Sequence, residues 1–329
     1  MNRPDTDAAV APVGADRPIR ASAVPRRVGR DLPTRAALQV ARGFFMGSAD
    51  LVPGVSGGTI ALVFGIYDEL VAVIREAAAA ATRLLVLDLR GGLGALAGVH
   101  WWFVTPLLAG IVLAIVTLAG PLSILLARQP VLMSALFFGL ITGSVAVAAR
   151  EVRRRDPVRL GLLVAVAVAT FVLLGLRGGS VRDPGLVVLF GAGALAVCAM
   201  ILPGISGSFI LLTVGLYHHL LEAVHQRAAV ELAVFTAGAA IGLGLFSSGL
   251  HWLIEHHRDT VMAALVGLMV GSLRVLWMWP SDGGGVGDVR LGPPVTADVP
   301  SVLVAGVAGA VAVVALARLG LRREAARPR

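Results

Sequence analysis

Two short segments, 50–59 and 200–209, combine proline, glycine and hydroxyl side chains inside apolar sequence. Both contain the pattern Pro-Gly-x-Ser-Gly, and the second follows the first by 150 residues. Proline removes a backbone hydrogen-bond donor and glycine weakens a helix, so each segment predicts a break between two helices. We call the segments tip 1 and tip 2. Their candidate binding residues are Pro53, Gly54, Ser56, Gly57, Gly58 and Thr59 in tip 1, and Pro203, Gly204, Ser206, Gly207 and Ser208 in tip 2.

A helix that begins just after each Pro-Gly turn would suit an anion. A helix start presents unpaired backbone N–H groups and the positive end of the helix dipole. Glycines let a ligand approach the backbone closely, and the serine and threonine hydroxyls add donors. Phosphate fits this donor set best. The simpler alternative is that Ser56 and Ser206 only cap their helices, but capping does not account for a glycine-rich break that occurs twice.

Two charged residues near tip 1 are further candidates. Arg42 precedes Pro53 by eleven residues, which on a helix is about 16 Å. It is expected either to meet an incoming headgroup or to extend to the membrane interface. Asp50 would repel an anion, so it is a candidate for binding a coupling proton or cation, for pairing with an arginine, or for capping the helix. The second copy has Met200 at this position, so the role is not symmetric.

The composition places these segments in a membrane. Of 329 residues, 57% are hydrophobic and 15% charged, and the mean hydropathy is +0.85. This balance is typical of polytopic membrane proteins. The net charge of +8 lies on arginines in loops and tails, which indicates topology and a lipid surface and excludes a nucleic-acid partner. The single cysteine, Cys198, allows no disulfide or metal motif, and we expect no cofactor.

The apolar segments form two similar halves, each with one tip. A second match supports the repeat, because Gly139 and Gly143 recur as Gly267 and Gly271, at an offset of 128 residues. Spans need about 20 apolar residues. Repeat 1 covers 36–176, with a hairpin at 36–75 and spans at 101–120, 131–149 and 159–176; repeat 2 covers 185–318, with a hairpin at 185–224 and spans at 231–252, 260–279 and 301–318.

The number of crossings predicts how the halves are related. A hairpin enters and leaves on one side, so three further spans make each half odd, and the second half must be inverted relative to the first. In such repeats the two tips approach the bilayer midplane from opposite faces. We therefore predict an all-α polytopic membrane protein with two inverted-topology repeats, each a re-entrant helix hairpin followed by three transmembrane helices.

Arginine placement predicts the orientation. Arginines concentrate in 1–34, 150–159 and 319–329, whereas 280–300 carries three aspartates against one arginine. Because positively charged loops stay in the cytoplasm, both termini are expected there, in a multi-pass protein of the cytoplasmic (inner) membrane. Residues 1–34 lack an apolar core, which predicts a disordered basic arm and not a signal peptide. Residues 319–329 are expected to form a basic cytoplasmic tail.

The sequence around the tips resembles the bacterial polyprenyl-phosphate transporter family (PopT-like), long classed as a domain of unknown function. The resemblance covers about 36–318 and is carried by Arg42-Gly-Phe-Phe-Met46-Gly47-Ser-Ala49-Asp50-Leu-Val-Pro53-Gly54-Val-Ser56-Gly57-Gly58-Thr59, by Gly65-Ile-Tyr67, and by Ala199-Met-Ile-Leu-Pro203-Gly204-Ile-Ser206-Gly207-Ser208.

The resemblance implies a flippase that recycles undecaprenyl phosphate, the lipid carrier of cell-wall synthesis, from the outer to the inner leaflet. Family members commonly have a basic residue at the position of Arg42. The basic arm and the 280–300 loop look like additions to the family core. Because the second phosphate pKa is about 6, one proton would halve the headgroup charge in transit, and we hypothesise proton coupling through Asp50.

Two other functions stay open at this point. Integral-membrane undecaprenyl-diphosphate phosphatases also use inverted repeats with re-entrant hairpins, some with a Pro-Gly-x-Ser-Arg-Ser-Gly tip. Here Gly57 and Gly207 follow the tip serines, and no paired glutamates precede them, so phosphoester cleavage lacks a cation and a general base. The third function is transport of a small soluble anion. We expect a transporter and not an enzyme; the oligomeric state is left open.

Overall fold

The computed structural model describes residues 32–52, 55–85, 87–154, 156–176, 181, 183–279, 291–292 and 299–325. Most of the predicted basic arm, the end of the predicted tail and most of the 280–300 loop lie outside the described residues. Pro53 and Gly54, two of the predicted binding residues, also lie outside them.

All regular structure in the described part of the chain is helical, which confirms the predicted all-α class. The helices are α1 (Leu32–Asp50), α2 (Gly57–Val63), α3 (Tyr67–Leu85), α4 (Leu89–Gly98), α5 (Trp101–Arg128), α6 (Pro130–Ala148), α7 (Pro157–Leu173), α8 (Leu186–Ile201), α9 (Gly207–Thr213), α10 (Tyr217–Gln226), α11 (Ala229–Ser272) and α12 (Val299–Ala325), with a 3-10 turn at Leu273–Leu276.

Several of these helices are long and apolar enough to cross a bilayer. Among the described residues, four segments qualify, and a fifth qualifies if the bent pair α9 and α10 is counted as one span. The four are Trp101–Arg128, Pro130–Ala148, Ala229–Leu276 and Val299–Arg318. The chain is therefore a multi-pass membrane protein, as its composition predicts.

Helix boundaries differ from the predicted spans in several places; α5, for example, continues to Arg128, past the predicted span 101–120. The predicted spans 231–252 and 260–279 lie largely on one element, α11, which bends at His257 (φ −134°, ψ 39°) without an intervening loop. The predicted linker after residue 75 is also helical, because α3 continues to Leu85 and α4 follows it. Alanine is the best helix former, and residues 77–81 are all alanine, so no signal there ends the helix.

The helix that leads into each tip packs on the next long helix through the same contact. A Cβ on Gly43 of α1 would collide with the Leu107 carbonyl of α5. A Cβ on Gly193 of α8 would collide with the Phe235 carbonyl of α11. The paired positions are related by the offsets of the sequence repeat, 150 and 128 residues. The repeat is thus also a repeat of helix packing.

The repeated glycine pairs hold the two halves together. Gly139 and Gly143 of α6 lie against Gly306 and Ala310 of α12. In the same way, Gly267 and Gly271 of α11 lie against Leu163 and Ala167 of α7. Small residues four apart let helix backbones approach closely. The middle long helix of each half therefore packs on the last helix of the other.

A bend follows each tip. Gly65 and Gly215 adopt left-handed backbone conformations, with φ of +68° and +77°. Each allows a short helix to end and the next to begin, and α10 turns away from α9 by 109°. The predicted hairpins therefore contain one more bend than a simple pair of helices.

Candidate functional site

Tip 1 leads into a short helix capped by Ser56. The Ser56 hydroxyl accepts a hydrogen bond from the Gly58 amide at 3.2 Å, which satisfies one of the free donors at the start of α2. Ser56, Gly57, Gly58 and Thr59 are all buried. The Thr59 hydroxyl is fully enclosed and has no hydrogen-bond partner in the described part of the chain. Most buried hydroxyls have a hydrogen-bond partner. Thr59 departs from this rule and leaves an unsatisfied donor inside the tip.

Asp50 binds the backbone of tip 1. Its carboxylate accepts a hydrogen bond from the Gly57 amide at 2.6 Å. Of the roles considered for Asp50, the structure shows capping of the helix start. The Gly57 amide is therefore not free to bind an anion in this structure, which corrects the expectation of an open helix start. The carboxylate at the end of α1 occupies the first amide of α2.

Tip 1 lies directly against tip 2. The Ser56 hydroxyl donates to the Met200 carbonyl at 3.4 Å. The Tyr67 hydroxyl donates to the Ile201 carbonyl at 3.2 Å. Gly58 also approaches this chain segment, because a Cβ there would lie 3.0 Å from the Ile201 carbonyl oxygen. The last carbonyls of a helix lack partners within it, so tip 1 and α3 satisfy the end of α8.

The role of Tyr67 does not follow from the sequence interpretation. The sequence gives Tyr67 no role beyond its place in the family resemblance, but its side chain is fully buried. The recurrence of tyrosine at 217 was the available signal. Tyr217 is only half-buried and lies edge-on to His218 at 5.8 Å between ring centroids, so the two tyrosines differ in environment.

The hydroxyls of tip 2 are more accessible than those of tip 1. Ser206 occupies the N-cap position of α9, but its hydroxyl accepts no capping hydrogen bond. This hydroxyl lies 2.8 Å from that of Ser208, which is exposed. Pro203, Gly204 and Gly207 are buried. Gly204 has φ +91°, and a Cβ there would lie 2.9 Å from both Met269 Cα and Ser272 Oγ. The backbone of tip 2 thus packs on α11, while the hydroxyls of Ser206 and Ser208 remain accessible.

Arg42 lies on the helix that leads to tip 1. It precedes Asp50 by eight residues, and its guanidinium donates to Gln39 Oε1 at 3.0 Å. Of the predicted tip residues, the structure brings Ser56 and Gly58 against the backbone of tip 2 at Met200 and Ile201. It places Arg42 about two helical turns from Asp50 on the same helix.

The region of the chain that matches known proteins includes both tips. Residues 46–283 match the family model described as VCA0040-like, undecaprenyl phosphate translocase-like. The chain belongs to this family. The match contains both tips, whereas Arg42 and α12 lie outside it. The predicted family resemblance is confirmed.

Two curated relatives are named polyprenyl-phosphate transporter. The one from Vibrio cholerae serotype O1 is 41% identical over 238 residues, which is 72% of this chain and 76% of the relative. The one from Staphylococcus aureus is 29% identical over 257 residues, which is 72% of this chain and 84% of the relative. No solved structure matches the chain.

Proposed function

We propose that this protein is a flippase that moves a polyprenyl phosphate, such as undecaprenyl phosphate, across the cytoplasmic membrane so that the lipid carrier can be reused. The observation that carries the proposal is the contact between the two Pro-Gly-x-Ser-Gly tips, joined by the Ser56 hydroxyl and the Met200 carbonyl. Irregular backbone at membrane depth is tolerated only inside protein or at a water-filled cavity. Its occurrence twice at one place is expected of a headgroup path.

The accessible hydroxyls of tip 2 would meet the phosphate first. Ser206 and Ser208 offer two donors side by side, and a charged acceptor strengthens such bonds. Tip 1 would bind next, once Asp50 releases the Gly57 amide. Protonation of Asp50 would weaken its hold on that amide, which is the route by which a proton would be coupled to transport.

The proposed substrate-binding residues belong to both halves, which we take to be inverted relative to each other. This relation, the cytoplasmic location of both termini and the inward direction of transport are parts of the proposal. Family membership and the repeated packing of α1 on α5 and α8 on α11 support it. The proposed residues are Pro53, Gly54, Ser56, Gly57, Gly58, Thr59, Pro203, Gly204, Ser206, Gly207, Ser208 and Arg42, with Asp50 as the coupling group.

We further infer that the protein transports without cleaving phosphate esters. The partners of the Ser56 hydroxyl are a carbonyl and an amide, and the partner of the Ser206 hydroxyl is Ser208. None of these groups is a general base that would activate a serine nucleophile. Release of inorganic phosphate from undecaprenyl diphosphate by the purified protein would contradict this inference.

Translocation of undecaprenyl phosphate in proteoliposomes tests the proposed function. The double variant Ser206→Ala/Ser208→Ala should slow transport by about tenfold or more, because a hydrogen bond to a charged group contributes about 1.5–3 kcal/mol. Ser248→Ala is the matched control, because Ser248 is an exposed serine on α11 that bonds within its own helix. Equal rates for all three proteins would remove tip 2 from the path. Uptake of a tail-less phosphate would instead favour a small-anion transporter.

A further inference from the structure

A cavity of about 230 Å³ lies beside tip 1. Its walls come from α1, α2, α6 and α12, so it is bounded by both halves of the chain. We call it the side cavity. Exposed Phe45 and Ala312 line it, as do buried Val55 and Ile141, so it reaches from the protein surface to the core.

The side cavity offers an apolar lining. Among the described residues that line it, only Ser48 and Ser144 carry a polar side chain. Ser48 donates to the Phe44 carbonyl at 2.7 Å, and Ser144 donates to the Leu140 carbonyl at 2.8 Å. Both hydroxyls are thus satisfied within their own helices. A lining of this kind suits an apolar ligand.

Several residues that line the side cavity are direct chain neighbours of the proposed binding and coupling residues of tip 1. Val55 directly precedes Ser56, Ile60 directly follows Thr59, and Ala49 directly precedes Asp50; all three apolar residues line the cavity. A phosphate held at tip 1 would therefore have this cavity beside it. On the outer side, Ala312 belongs to α12, a helix long and apolar enough to span the bilayer.

We propose that the side cavity binds the isoprene units of the polyprenyl chain that are nearest to the phosphate, an inference that rests on the proposed function. A dry cavity of about 150 Å³ accepts the six carbons of benzene, so the side cavity has room for about one or two five-carbon units. The rest of the polyprenyl tail would continue past Ala312 into the lipid. The protein then recognises the base of the tail as well as the headgroup.

Binding of radiolabelled farnesyl phosphate to the full chain in nanodiscs tests this proposal. Ala312→Phe on α12 and Ser48→Leu on α1 each place a larger apolar side chain in the cavity. Each should weaken binding by about tenfold or more, because even two methylene-sized groups kept from apolar contact cost that much. Ala315→Phe is the matched control, since Ala315 is an exposed alanine of α12 outside the lining, and its affinity should stay within about twofold of wild type.

Each outcome decides between defined alternatives. The proposal is supported if wild type and Ala315→Phe bind farnesyl phosphate and both filled variants lose affinity while keeping the thermal stability of the control. It is overturned, with the flippase function intact, if wild type binds and both filled variants bind equally well. If wild type binds no prenyl phosphate, the proposed function fails and this inference fails with it.

Discussion

Asp50 is the residue on which the chemistry of tip 1 depends. Its carboxylate and a phosphate would compete for the same donor, the Gly57 amide. A charge-assisted bond of this kind is roughly twice as strong as a neutral one, so tip 1 is closed as long as Asp50 is ionised and in place. The tip cannot be an open anion site at all times. In the proposed function, tip 1 would accept a phosphate only after this hydrogen bond breaks.

We expect Asp50→Asn to uncouple transport from the proton gradient. The amide oxygen still accepts from Gly57, but the side chain can no longer exchange a proton. Wild type should therefore transport undecaprenyl phosphate faster under a pH gradient, and the variant should run at one rate with or without it. The assay is translocation in proteoliposomes with and without an imposed gradient.

Asp88→Asn is the control for this experiment. Asp88 also caps a helix, accepting from the Gly91 amide at 2.9 Å, but lies outside the tips. It should behave as wild type. Proton coupling through Asp50 is wrong if neither the gradient nor the Asp50 substitution changes the rate.

At the scale of elements, each tip leads into a short helix that depends on packing against other helices. α2 and α9 have seven residues each, and isolated helices shorter than about 12 residues are marginal in water. Packing therefore stabilises them: Phe209 of α9 belongs to a buried cluster with Leu174 and Val275. Their starts and ends are set by the tip glycines and by the bends at Gly65 and Gly215.

Gly204→Ala should damage tip 2 specifically. A left-handed backbone costs a residue with a Cβ about 1–2 kcal/mol, and here the Cβ would also press on Met269 and Ser272 at 2.9 Å. We expect a lower melting temperature and at least tenfold slower transport. The measurements are thermal unfolding and proteoliposome transport.

The control for tip 2 is Gly249→Ala, in the exposed part of α11, where a Cβ would meet nothing within 4 Å. Alanine is the better helix former by about 0.5–1 kcal/mol, so this variant should be as stable as wild type or more so, with normal transport. Equal behaviour of the two alanine variants would show that the Gly204 conformation is not required.

The sequence predicted the two helix breaks but not the long-range contacts around them. Proline and glycine act on their own backbone, so two Pro-Gly-x-Ser-Gly patterns were enough to locate both tips. The bond from Tyr67 to the Ile201 carbonyl joins residues 134 apart, and such a contact depends on how α3 packs near α8. The sequence predicted a break between spans 231–252 and 260–279, but not that the helix continues through a single bend at His257, since no proline or glycine marks that residue.

At the scale of the whole molecule, the two halves contact each other through the glycine pairs of α6 and α11 and at two further places. One is the tip contact, where Ser56 and Tyr67 bind the end of α8. The other is Arg258 of α11, which pairs with Asp68 of α3 at 2.9 Å and with Glu151 after α6 at 3.2 Å. Exposed ion pairs contribute only about 0–1 kcal/mol each, so this second junction can open at little cost.

If the halves are inverted, the two tips should be accessible from opposite sides of the membrane. If the halves are inverted with the N-terminus in the cytoplasm, tip 1 opens toward the cytoplasm and tip 2 toward the exterior. With the natural Cys198 replaced by alanine, Ser208→Cys should react quickly with a membrane-impermeant maleimide added outside right-side-out vesicles, because Ser208 is exposed. Ser56→Cys is buried, so it should react slowly, and only in inside-out vesicles. Labelling of both cysteines from one face would show that the halves are not inverted, whereas labelling from opposite faces requires a path that runs between the tips.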